Sequence, residues 1–130
     1  METILVQEND LGTLEAVTEA LQMEGFRVYS LTDCNDNVLD MIRRHHPRLV
    51  LLDCWLFNHS GKQVCQWIKA HFRRLPVVAL SCDDQIDVHY RELGFDDYLK
   101  KPFDLDQLYY VVRKQLTWHR RKKKYTELTL

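Results

Sequence analysis

Five side chains in this sequence have types suited to phosphoryl and hard-cation chemistry: Glu8, Asn9, Asp53, Ser81 and Lys101. Hard divalent cations such as Mg²⁺ take oxygen ligands, often one or two carboxylates with a phosphate group and waters. An Asp carboxylate can accept a phosphoryl group covalently. Phosphoryl transfer is assisted by positioning and by cations that neutralise the phosphoryl oxygens. A lysine ammonium supplies one such charge, and a serine hydroxyl can donate to a phosphoryl oxygen. Each of these residues follows or closes a stretch that reads as a strand, most of them apolar runs. Glu8-Asn9-Asp10 comes after Thr3–Gln7, Asp53 after Leu49–Leu52, Ser81 after Leu75–Leu80, and Lys101 after Asp97–Lys100.

The apolar runs read as strands that must bring these groups together. Leu49-Val-Leu-Leu52, with Pro47 before it and Ser60-Gly61 after Asp53, has the continuous apolar character of a strand buried on both faces. Leu75–Leu80 is of the same kind, and Phe26–Leu31 alternates as a second strand. Between the strands, apolar residues recur at helical spacing. Leu11, Leu14, Val17, Ala20 and Leu21 form one helix, with Gly25 beyond it. Thr32 or Asp33 opens a second, with Val38, Leu39, Met41 and Ile42 inward. Ser60 caps a third, burying Val64, Trp67, Ile68 and Phe72. A weak fourth helix spans Asp84 to Leu93, and Asp104 caps a fifth through Leu105, Leu108, Tyr109, Val112 and Leu116. Five β-α units imply an α/β fold: a doubly wound parallel sheet with helices on both faces. Ligands of such sheets sit in the crevice beyond the carboxyl ends of the strands, where the five residues would gather.

Length and composition suit one soluble domain of 130 residues with a formal net charge of −1. Charge is uneven: Arg120-Arg-Lys-Lys-Lys124 holds five of the 18 basic residues. Residues 1–119 therefore read as the domain and 120–130 as a basic tail or the start of a linker. Five charges alone would bind nucleic acid weakly, so nucleic acid is not an expected partner of the domain. Cys34, Cys54, Cys65 and Cys82 make no CxxC or zinc spacing and read as reduced, which suits the cytosol. Cys54 and Cys82 are expected in or beside buried strands. No apolar run approaches a membrane span, and no signal peptide is recognisable. The lack of a GxxxxGK[ST] stretch disfavours a nucleotide- or small-molecule-binding flavodoxin-like role.

The ordered set Ile4-Leu-Val-Gln-Glu-Asn9, Leu49-Val-Leu-Leu-Asp53, Ser60-Gly61, Pro76-Val-Val-Ala-Leu-Ser81 and Asp96-Asp-Tyr-Leu-Lys-Lys-Pro-Phe103 resembles the response-regulator receiver domain, the CheY-like module of two-component signalling. The resemblance covers about residues 3 to 118. It implies a flavodoxin-like sheet in order 2-1-3-4-5 with five helices. It implies that Asp53 is the phosphoacceptor, assisted by Ser81 and Lys101, with Ser81 and Tyr98 as the switch pair. It implies an Mg²⁺ site from Glu8, Asn9, Asp53 and the Trp55 backbone carbonyl. The implied partners are a histidine kinase or phosphotransfer protein, a second copy through the helix 4–strand 5–helix 5 face, and an effector domain in a longer chain. The implied role is a cytoplasmic signalling module rather than an enzyme.

Three departures qualify the resemblance. Asn9 stands where the family usually has a second acid, so an oxygen ligand is kept, a charge is lost and Mg²⁺ affinity should fall. Phe57 occupies a position where the family often has Pro, and Cys82 one where it usually has a small residue. The alternative reading is a degenerate receiver, an interaction module that works without phosphate.

Overall fold

The structure, a computed structural model, describes residues 1–53 and 60–128, with side chains through 117 apart from that of Ser60. Ten elements alternate: β1 Thr3–Gln7, α1 Leu11–Met23, β2 Arg27–Leu31, α2 Asn37–His45, β3 Leu49–Asp53, α3 Ser60–His71, β4 Val77–Ser81, α4 Ile86–His89, β5 Asp97–Lys100 and α5 Leu105–Leu128. The strands are all parallel, in the order β2-β1-β3-β4-β5.

Period-two alternation sorts the strand side chains between two cores. Ile4, Val6, Leu49, Leu51, Val78 and Leu80 face α1 and α5. Leu5, Val50, Leu52, Val77 and Ala79 face α2, α3 and α4. Every residue of β3 and β4 is buried, as the continuous apolar runs required. Because both faces of the central strands are covered, a slip of one residue would not expose an apolar face, and polar strand ends must help fix register.

Local chemistry sets the helix ends. The Asp10 carboxylate accepts from the Thr13 amide (2.9 Å) and caps α1. Gly25, at φ 93°, turns the chain out of α1 in the left-handed region that suits glycine. Asp104 and Gln107 form reciprocal side-chain-to-backbone bonds of 2.8 and 2.9 Å, a capping box for α5.

Several expectations need correction. Neither Thr32 nor Asp33 opens α2. Its N-cap is Asp36, without a side-chain cap bond, while the Asn35 side chain turns the loop by accepting from the Asn37 amide (2.9 Å). Ser60 is the first residue of α3 rather than a described cap. β4 begins at Val77, because Leu75 closes a turn on Phe72 and the Pro76 carbonyl accepts from Val50. α4 keeps only four residues, since its weak apolar pattern buries Ile86 alone. Leu11 and Trp67 were expected inward, yet they are 59% and 37% exposed. Cys82 is exposed beyond β4, and Cys54 lies outside the described residues.

The fifth helix does not stop near Leu116. It continues to Leu128, about 36 Å at 1.5 Å per residue. Among the residues with described side chains, Leu116 is its last in the core. Among the described residues no helix is long and apolar enough to cross a membrane.

Candidate functional site

Parallel pairing puts the carboxyl ends of β1, β3, β4 and β5 on one edge of the sheet. Asp53 closes β3 there and is 7% exposed. Its backbone amide donates to the Gln7 side-chain oxygen (3.0 Å). Gln7 is fully buried, and its amide nitrogen in turn donates to the Thr32 carbonyl (2.9 Å). One buried amide therefore ties the ends of β1, β2 and β3 together. A polar residue at this depth has to be satisfied at both ends, and Gln7 is.

Both Asp53 carboxylate oxygens are engaged. Oδ1 accepts from the Lys101 ammonium at 3.2 Å. Oδ2 accepts from the Asn9 side-chain nitrogen at 3.0 Å and the Asn9 backbone amide at 3.3 Å. Lys101 also donates to Glu8 Oε1 at 2.8 Å, so one ammonium bridges two acids. Glu8 is 1% exposed, and its Oε2 has no hydrogen-bond partner among the described residues. The Lys101 backbone is itself fixed, since its amide donates to the Ser81 carbonyl (2.7 Å).

The electrostatics follow from this burial. Removal from water pushes the Glu8 carboxyl above its usual range; the Lys101 hydrogen bond opposes this and the Asp53 charge adds to it. Burial also works against the Lys101 ammonium, but the Glu8 hydrogen bond and the charges of Asp53 and Glu8 outweigh it, and Lys101 is raised. Glu8 and Lys101 therefore each hold a proton more tightly than the free side chain would.

Of the residues singled out in the sequence, Glu8, Asn9, Asp53 and Lys101 meet directly. Ser81 ends the neighbouring strand, one step beyond the register partner of Asp53, and is 1% exposed. Tyr98 is half-buried on β5 and packs on Tyr90, with ring centroids 5.1 Å apart at 45°. Trp55 and Phe57 lie outside the described residues.

Three further residues belong to the site, and sequence reading passed over them. Gln7 is one; its signal was a polar residue closing a strand that is otherwise apolar. The others are Asp83 and His89. Ser81 Oγ accepts from the Asp83 amide at 3.0 Å, which leaves its own proton free to donate. The Asp83 carboxylate accepts from the Gln85 amide (3.0 Å) and pairs with His89 Nδ1 (3.0 Å). The His89 bond, then the Gln85 amide, hold the Asp83 carboxyl below its usual range. The hydroxyl is thus tied to the last residue of α4. No spacing rule links residues 83 and 89 across a turn.

The oxygen donors of this pocket are of the kind a hard cation takes. Glu8 Oε2 is a buried carboxylate oxygen with a vacant lone pair, which suits that reading. Among the described residues no group of three or more His, Cys, Asp or Glu side chains is placed to hold a metal, because the third position is Asn9.

A doubly wound parallel sheet with an acid pair, a hydroxyl and a lysine at its carboxyl edge defines a CheY-like α/β domain. The family model for the response regulator receiver domain matches residues 4–113. The chain is similar to NtrX from Brucella abortus, crystallised with ADP, at 31% identity and a TM-score of 0.89; the match covers 100% of this chain and 30% of that one. The isolated receiver domain of the same protein matches at 32% identity, with 88% and 98% of the two chains covered and a TM-score of 0.79. The response regulator TrrA from Thermotoga maritima, in complex with Mg(2+)-BeF, shares the fold at 24% identity, with 88% and 99% covered and a TM-score of 0.78. The chain belongs to the response regulator receiver domains, the signalling modules of two-component systems.

The raised Glu8 carboxyl gives a sign to the pH dependence. A group that binds its proton more tightly when folded lowers stability as pH rises from the unfolded value, 4.5, through the raised folded one. Lys101→Met removes the only cation bonded to Glu8 among the described residues, which widens that window. Urea unfolding should therefore show a larger loss for Lys101→Met at pH 7 than at pH 5. An equal loss at both would contradict the arrangement.

Proposed function

We propose that Asp53 accepts a phosphoryl group from a phosphohistidine on a histidine kinase or phosphotransfer protein. The observation that carries this reading is the placement of Asp53: a nearly buried carboxylate held at a strand end by Lys101 on one oxygen and Asn9 on the other. Such a group is oriented rather than mobile, which lowers the entropic part of the barrier. As an Asp53 oxygen bonds to phosphorus, the phosphorus–nitrogen bond breaks, and the imidazole leaves with the electron pair and takes a proton. Lys101 loses its Asp53 contact to the phosphoryl group and neutralises one of its oxygens. The Ser81 hydroxyl, already an acceptor from Asp83, donates to another.

Magnesium, when bound, would supply positive charge opposite the phosphoryl oxygens. Glu8, Asp53 and Asn9 would hold it, together with the Trp55 carbonyl. Asn9 now turns its NH₂ toward Asp53, so the amide has to present its oxygen instead. With one carboxylate fewer, the site binds the cation more weakly than a site with three acids.

The signal leaves through α4, β5 and α5. Ser81 moving toward the phosphoryl group pulls on the Asp83–His89 pair, and Tyr98 turns inward as it shifts. That face would then engage a second copy or another partner. The chain spans 30% of the NtrX chain it matches, which supports an effector region beyond residues 120–130 in a longer protein. The exposed thiol of Cys82 suits a reducing, cytoplasmic setting.

Incubation with acetyl phosphate and Mg²⁺, followed by intact mass, tests the acceptor. The protein should gain one phosphoryl group, and Asp53→Asn should gain none. An adduct that survives in Asp53→Asn would overturn the assignment. Asn9→Asp should tighten Mg²⁺ binding by about tenfold, since the charge count of the ligands sets affinity. Calorimetric titration of the two proteins measures this, and unchanged affinity would refute the role of Asn9.

A further inference from the structure

The edge of the sheet opposite Asp53 has a different character. Arg27 opens β2 and its amide donates to the Glu2 carbonyl (2.9 Å). Arg48 precedes β3 and its amide donates to the Thr3 carbonyl (2.8 Å). The two therefore flank β1, about 10 Å apart at 4.8 Å per strand step. Arg73 and Arg74 precede β4, the next strand along, and Arg43 and Arg44 end α2 on the same edge. All six are exposed. Arg43 pairs with Asp40 at 3.5 Å. Several acids near this edge are already engaged: Glu24 with Arg113, Asp96 with Lys69 and Asp97 with Lys114, and Glu2 has a partner as well.

Helix ends do not account for these charges. Cations in a last helical turn balance the helix dipole, which explains Arg43 and Arg44. Arg27, Arg48, Arg73 and Arg74 lie outside the helices.

We propose that this basic edge is a binding site for the phosphate backbone of nucleic acid, without sequence specificity. The sequence alone offered only the five tail charges; the fold adds six arginines in a row. A row of arginines matches a linear polyanion, because each guanidinium can hold a phosphate in two hydrogen bonds. A protein partner would instead call for an apolar, desolvated centre with the charges at its rim.

Fluorescence anisotropy of the full chain with a labelled duplex of arbitrary sequence tests this. Binding in about the 1–100 µM range is expected at low salt, weakening as salt rises with a log–log slope near 0.9 per phosphate contact. The double variant Arg48→Ser/Arg74→Ser should reduce that slope by about two and weaken binding at least tenfold. Arg27→Ser/Arg44→Ser, at separate positions, should do the same. Asp53→Asn should bind as the parent does, which separates this site from the phosphoacceptor. No binding up to about 100 µM at low salt, or double variants that bind like the parent, would overturn the proposal. So would labelled poly-glutamate binding as tightly as the duplex, which would mark the edge as a dock for acidic protein.

Discussion

One ammonium holds the site together. Lys101 follows β5, which lies two strands away from β3, yet its Nζ reaches both Asp53 and Glu8. Glu8 is buried almost completely, and a carboxylate at that depth is tolerated only with a compensating charge or a proton. Supplying that charge from β5 requires the order in which β1 lies beside β3, and β4 between β3 and β5. Breaking a buried pair by removing one partner typically costs about 3–5 kcal/mol, because the remaining charge is stranded. The same arrangement that makes the pocket costly makes it responsive: a phosphoryl group on Asp53 would displace the lysine contact and redistribute charge across three strand ends.

Gln7 and Asn9 show how few polar atoms keep this pocket in register. Gln7 bonds the Asp53 amide from one side and the Thr32 carbonyl from the other. Asn9 meets Asp53 through both its backbone and side-chain nitrogens. Neutral donors thus do at Asp53 Oδ2 what a cation would do in a more acidic site. α4, by contrast, is short and buries only Ile86. A segment with so little packing shifts at low cost, and the Asp83–His89 pair couples it to Ser81.

The architecture was legible because the patterns were strong. Leu49–Leu52 and Leu75–Leu80 are continuous apolar runs bounded by turn residues, which favours strands covered on both faces over buried helix, and each closes on a polar group. Convergence of Glu8, Asn9, Asp53 and Lys101 followed from strand order, which the family resemblance supplied. Other features were not legible. The α2 start depends on Asn35 side-chain bonding, which competes with Thr32 and Asp33 without any periodic trace. Leu11 and Trp67 are apolar residues at helical spacing that fall on the rim of the buried stripe. The row of arginines is scattered over residues 27 to 74, and only parallel pairing brings them to one edge.

A double-mutant cycle tests the central claim most directly. Urea-unfolding free energies of Lys101→Met, Glu8→Gln and the double variant, compared with the parent, isolate the interaction between the two side chains. If Lys101 offsets the buried Glu8 charge, Glu8→Gln should recover much of the stability lost in Lys101→Met, leaving a coupling of about 1–3 kcal/mol. Strictly additive losses would mean that the ammonium does not hold the pocket, and the account would fail.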